Sequence, residues 1–82
     1  MSGEWFQVWD RSEYQEWALP TEYGYLLVIK RKQPTNWLLA RAKLIFEAEG
    51  LPRFETLESK TVEKEVEAAV TLNEWKAQTA EQ

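Results

Sequence analysis

The sequence predicts a small α+β fold in one domain covering residues 1–82. Three observations lead there. Two segments rich in aromatic and β-branched residues, near 4–9 and 23–31, have the composition of strands. Segments near 36–49 and 61–80 are built from strong helix formers. The overall composition, 44% hydrophobic and 29% charged, is too apolar for a disordered chain and too polar for a membrane-embedded one. The expected architecture is therefore a small sheet packed against a helix near 36–49, followed by a C-terminal helical segment.

The first strand is expected over Trp5-Phe6-Gln7-Val8-Trp9, ending at Asp10-Arg11-Ser12. Ser12 is a good N-cap, and Gln15 three residues later completes a capping-box pattern, which predicts a short helix over Glu13 to Leu19 stopped by Pro20. In such a helix Tyr14 and Trp17 would share a face. Tyr23 to Ile29 is a continuous run of β formers closed by Lys30-Arg31-Lys32, the strongest strand signal in the chain. Pro34 and Thr35-Asn36 supply turn and cap chemistry. Trp37 to Glu49 then reads as the principal helix, ended by Gly50 and Pro52, with Leu38, Ala42 and Ile45 on its inner face and Lys43 and Glu47 paired at i,i+4.

Phe54 to Leu57 adds a short strand near 53–58. Beyond it the two periods conflict. Val62, Val66, Ala69 and Val70 recur at helical spacing, yet Val62, Lys64, Val66, Ala68, Val70 and Leu72 also alternate with Glu63, Glu65, Glu67 and Thr71. The Glu/Lys/Ala composition favours helix from about Thr61, broken or bent near Thr71, where Thr71-Leu72-Asn73-Glu74 resembles a new capping box. The last residues, Thr79 to Gln82, are expected to fray.

Composition excludes more chemistry than it suggests. With no cysteine and no histidine there are no disulfides, no thiolate nucleophile, no zinc site of the usual kind and no histidine-based triad. Gly3, Gly24 and Gly50 are isolated, so no phosphate-cradling loop is present, and the glutamates of 63–67 lack the spacing and central glycine of a calcium loop. The chain has acids enough for a carboxylate pair, but so small a domain has little room for a pocket that tunes one of them. No enzyme, no cofactor and no metal are expected. No run approaches the roughly 20 apolar residues of a membrane helix, and residues 1–5 lack the features of a signal peptide, so a soluble cytoplasmic protein with no membrane contact is the expectation.

What remains is binding. The net charge of −4 divides into −4 over residues 1–22, +5 over 23–46 and −5 over 47–82. The basic segment supplies a candidate interaction patch: Lys30, Arg31 and Lys32, then Trp37, Arg41 and Lys43. Either the acidic flanks neutralise it on folding or it faces a partner, and Trp37 is either a core anchor or a stacking ring. Tryptophan is enriched at binding hot spots, and five in 82 residues are many for a small core to hide, so Trp5, Trp9 and Trp75, near the two ends, are candidate exposed aromatics. Elimination leaves a non-enzymatic protein-interaction module, with a nucleic-acid binder using 30–43 as the alternative. Self-association through the Trp5–Trp9 strand edge is the third option.

Overall fold

A computed structural model describes residues 4–47 and 49–80. Five strands, β1 (Phe6–Arg11), β2 (Tyr14–Thr21), β3 (Gly24–Lys32), β4 (Trp37–Ile45) and β5 (Arg53–Val62), form one antiparallel sheet in the order β1-β2-β3-β4-β5, and a single helix, α1 (Glu65–Ala80), follows. The α+β class stands, with a sheet larger than expected and, among the described residues, one helix in place of three.

Two of the expected helices are strands. The segment near 36–49 pairs along its whole β4 length with β3, from Gly24 opposite Ile45 to Lys32 opposite Trp37, and on its other side with β5. Helix propensities among ordinary residues differ by only about 0.7 kcal/mol each, so a position with a partner strand on both sides overrides them. Glu47 accordingly pairs with Arg53, at 3.4 Å, and not with Lys43. The segment Glu13 to Leu19 is likewise strand. Trp17 lies opposite Val28 and Tyr14 opposite Arg31, which puts the two rings on opposite faces. Pro20 is tolerated because β1 pairs no further along β2 than Ala18, so the proline occupies a stretch that is in effect an edge.

Chain order and spatial order coincide, so each strand meets its predecessor through a short connection. The turn at Glu22-Tyr23 delivers the chain to Gly24, where a Cβ would drive into the carbonyl oxygen of Leu44 on the neighbouring strand. Only glycine lets β3 and β4 approach so closely there. Phe46 N–H donates to Tyr23 O at 2.8 Å and Lys32 N–H to Glu13 O at 2.8 Å, extending the ladders past the strand ends.

Pairing register assigns every side chain to one of two faces. On the helix face, Val28 and Leu39, both fully buried, meet Trp37, Val62, Ala68, Leu72 and Trp75, with Trp5 and Trp17 packed against the cluster. The helix presents Ala68, Thr71, Leu72 and Trp75, a spacing of 3, 1 and 3 that turns one narrow stripe inward. The expected stripe was another one, and Val66 and Val70 instead face outward, 66% and 52% exposed. Volume decides this. Trp75 and Leu72 offer more apolar surface than two valines, and rotating the helix to bury the valines would expose them. The helix starts at Glu65, directly after strand ends at Val62, which resolves the conflict of periods, and it runs without a break through Thr71. Its far end is tied down by Trp5, whose Nε1–H donates to the Lys76 carbonyl at 3.2 Å, and by the Lys76 ammonium 4.6 Å above the Trp17 ring.

Candidate functional site

The opposite face of the sheet has no covering element among the described residues, since α1 contacts β3, β4 and β5 from the helix side only. Its rows follow from the register. Ala18, Leu27 and Ala42 form the middle row, buried by the larger side chains around them, with Phe6 at its β1 end. To one side lie Tyr25, Leu44 and Phe54, then Tyr23 and Phe46. To the other lie Trp9, Glu16, Ile29 and Ala40, then Arg11, Tyr14, Arg31 and Leu38.

This face is apolar and open. Phe6, Trp9, Phe46 and Phe54 are 46%, 50%, 49% and 56% exposed, and Val8 is 42% exposed. Phe6 and Phe46 both stand edge-on to Tyr25 with ring centroids 6.1 Å away, so three rings form a ridge with Tyr25 in the middle. Beside the ridge, Phe6, Val8, Ala18, Tyr25, Leu27 and Leu44 line a depression of about 270 Å³ with Glu16 at its rim. Glu16 is not a bare charge there. Tyr14 donates its hydroxyl to Glu16 Oε1 at 2.6 Å, and burial, this hydrogen bond and the carboxylate charge together push the Tyr14 phenol up to about 12, with Arg31 opposing.

The basic segment does not assemble into one patch. Period-two alternation turns Arg31 onto the open face, while Lys30, Lys32, Trp37, Arg41 and Lys43 belong to the helix face. Trp37 is buried, with the Lys30 and Lys32 ammonium groups 5.0 and 5.4 Å from its ring centroid, so it acts as a core anchor that also holds two cations. Lys30 itself is 7% exposed. Arg41 Nη2 lies 3.9 Å from Glu58 Oε1, with its Nε buried and unbonded. Lys43 sits near the other end of β4, opposite Glu55, and with Arg53 flanks a second depression of about 420 Å³ floored by Leu26 and Ile45.

Of the three end tryptophans, Trp9 is exposed, with the Arg11 guanidinium 5.8 Å from its ring, and Trp5 is partly buried against the core. Trp75 is a correction: it is 7% exposed and seals the helix against the sheet. Nearness to a chain end says little about burial when the terminal element is the one that closes the core.

In comparison with known proteins, no family model, no curated protein and no solved structure matches the chain. The open face itself was not anticipated from sequence. Its signal was present in the second apolar set of β4, Leu38, Ala40, Ala42 and Leu44, which alternates with Trp37, Leu39, Arg41, Lys43 and Ile45 and becomes visible once the segment is read as a strand.

Proposed function

We propose that this chain is a non-enzymatic protein-interaction module, an accessory subunit, inhibitor or regulator of a larger assembly in the cytoplasm. One observation carries the reading: a five-stranded sheet covered on a single face, with aromatic side chains standing half-exposed on the other. Antiparallel sheets ordinarily turn a polar face to water, so an apolar one marks a surface that another macromolecule covers. Tyr, Trp and Phe are also the residue types enriched at interface cores. No helix among the described residues is long and apolar enough to cross a membrane. The nucleic-acid reading has less support, because Arg31 points away from the other four cations of 30–43, and of those four Lys30 and Lys32 are held by Trp37 and Arg41 by Glu58.

The test compares the full chain with Phe54→Lys, a change at an exposed ring of the open face. Binding to a protein at physiological ionic strength is expected for the full chain and is expected to be lost in the variant, with unchanged far-ultraviolet circular dichroism in both. No protein binding, beside tight association with RNA or DNA that Arg31→Glu and Lys32→Glu weaken, would overturn it.

A further inference from the structure

The reading of the open face as a protein interface leaves its occupant unnamed. Three properties of the face agree on one. The first is its size. Four rings about half exposed, at about 150–250 Å² each, leave on the order of 400 Å² accessible. Val8 and the partly exposed Tyr25, Ile29, Leu38 and Leu44 bring the face to on the order of 600–800 Å², above the usual largest patch of a monomer. Two such faces together would bury on the order of 1,200–1,600 Å², the size of a specific interface.

The second property is charge. The face carries Arg11 and Arg31 in its last row at one end, with Glu16 one row in and held by the Tyr14 hydroxyl, and at the other end Glu4 precedes β1 and Glu22 occupies the β2–β3 turn, while Glu47 is taken by Arg53. A surface whose two ends carry opposite signs complements a copy of itself turned end for end. The third is relief. On β4 and β5, Leu44 and Phe54 stand raised while Ala40 and Ser59, equally far on the other side of the middle, are small; on β1 and β3 that second row carries Trp9 and Ile29.

We propose that a second copy of this chain closes the open face, packed about a two-fold axis that runs across the strands along the Ala18–Leu27–Ala42 row. This rotation keeps strand order and reverses the rows. Leu44 and Phe54 come over the partner's Ala40 and the partner's Ser59, Trp9 with the adjacent Arg11 comes over the partner's Glu4, and Arg31 comes over the partner's Tyr23, beside the partner's Glu22. The result is an aligned two-sheet sandwich with one helix on each outer side. The sheet edges are poorer sites for pairing. Both β1 and β5 carry a bulge, and β5 displays Glu55, Glu58 and Lys60.

Sedimentation equilibrium of the full chain across micromolar to submillimolar concentrations tests this. The expected result is a particle of twice the 9.7 kDa chain mass, with Phe54→Lys weakening the dimer about 100-fold while the monomer's circular dichroism is retained. Arg31→Glu and Glu22→Arg should each weaken it about 10-fold, and an equimolar mixture of the two should dimerise as the parent does, because both cross-pairs regain opposite charges. A dimer indifferent to Phe54→Lys, or a mixture no tighter than either variant, would overturn the arrangement. A chain that is monomeric throughout would overturn the second copy as occupant. If that monomer still binds a different protein through Phe54, the interface reading survives it; if it binds none, both fall.

Discussion

Leu38 and Leu39 are adjacent in sequence, identical in chemistry and assigned to opposite faces, so replacing each with alanine tests the fold at its most contested segment. Leu39 is fully buried between the sheet and α1, whereas Leu38 lies at the margin of the open face and is partly exposed. Removing three carbons from a fully buried site costs about 2.4 kcal/mol at about 0.8 kcal/mol per methylene. The neighbours Val28, Trp37 and Trp75 are held by sheet pairing and by the helix, which limits collapse, and a residual cavity of about 40 Å³ at about 24 cal/mol per Å³ adds about 1 kcal/mol. Leu39→Ala should therefore lose about 3–4 kcal/mol. Leu38→Ala should lose about 1 kcal/mol or less in dilute solution, where no second copy covers it. Against a total stability of about 4–12 kcal/mol for a chain of this length, the first change brings the fold close to its limit and the second does not. Urea unfolding followed by tryptophan fluorescence and circular dichroism measures both. Losses equal within about 0.5 kcal/mol would refute the strand assignment, because that equality is what a helix burying both leucines would produce.

Gly24→Ala places a methyl group against the Leu44 carbonyl, a backbone atom that cannot rotate away, and should lower stability by about 2–4 kcal/mol in the same assay; Gly50→Ala, at a φ of 100° but in open space, should lose only about 1 kcal/mol. A Gly24→Ala chain as stable as the parent would contradict the close approach of β3 and β4. Tyr14, raised from 10.0 to about 12, favours its neutral form in the folded state, so its contribution to stability is complete below pH about 10 and is lost as pH rises through about 12. Tyrosinate absorbance should show a late step near pH 12 that Tyr14→Phe removes and Glu16→Gln moves to lower pH.

The fold class was legible because β1, β3 and part of β5 carry β-branched and aromatic residues, and because the composition of 65–80 favours helix. β2 and β4 were not. Their Ala, Leu, Glu, Lys and Arg content matches helix propensity, and the capping pattern at Ser12 imitates a helix start. What makes them strands is non-local: β2 and β4 each lie between two partners, and in β4 the open-face set Leu38, Ala40, Ala42 and Leu44 is joined by apolar Trp37, Leu39 and Ile45 from the helix face, which blurs the period of two. The basic segment illustrates the same limit. Lys30, Arg31 and Lys32 are consecutive in the chain, and consecutive strand residues point to opposite faces, so a charge cluster in sequence becomes two separate features in space. Trp9 is half-exposed and Trp75 is buried, and the burial of Trp75 is invisible to its place near the chain end because it depends on the helix register set jointly with Ala68 and Leu72.

The order of elements also has a consequence during synthesis. The helix that seals Val28, Leu39 and Trp37 is translated after the entire sheet, and it joins β5 through only Glu63 and Lys64. Until residues 65–80 have left the ribosome, the nascent meander shows apolar side chains on both sides at once. Trp75 is thus the latch that turns a two-sided sticky sheet into a one-sided one, and a ribosome stalled before it would leave the form of this chain that is most prone to aggregate.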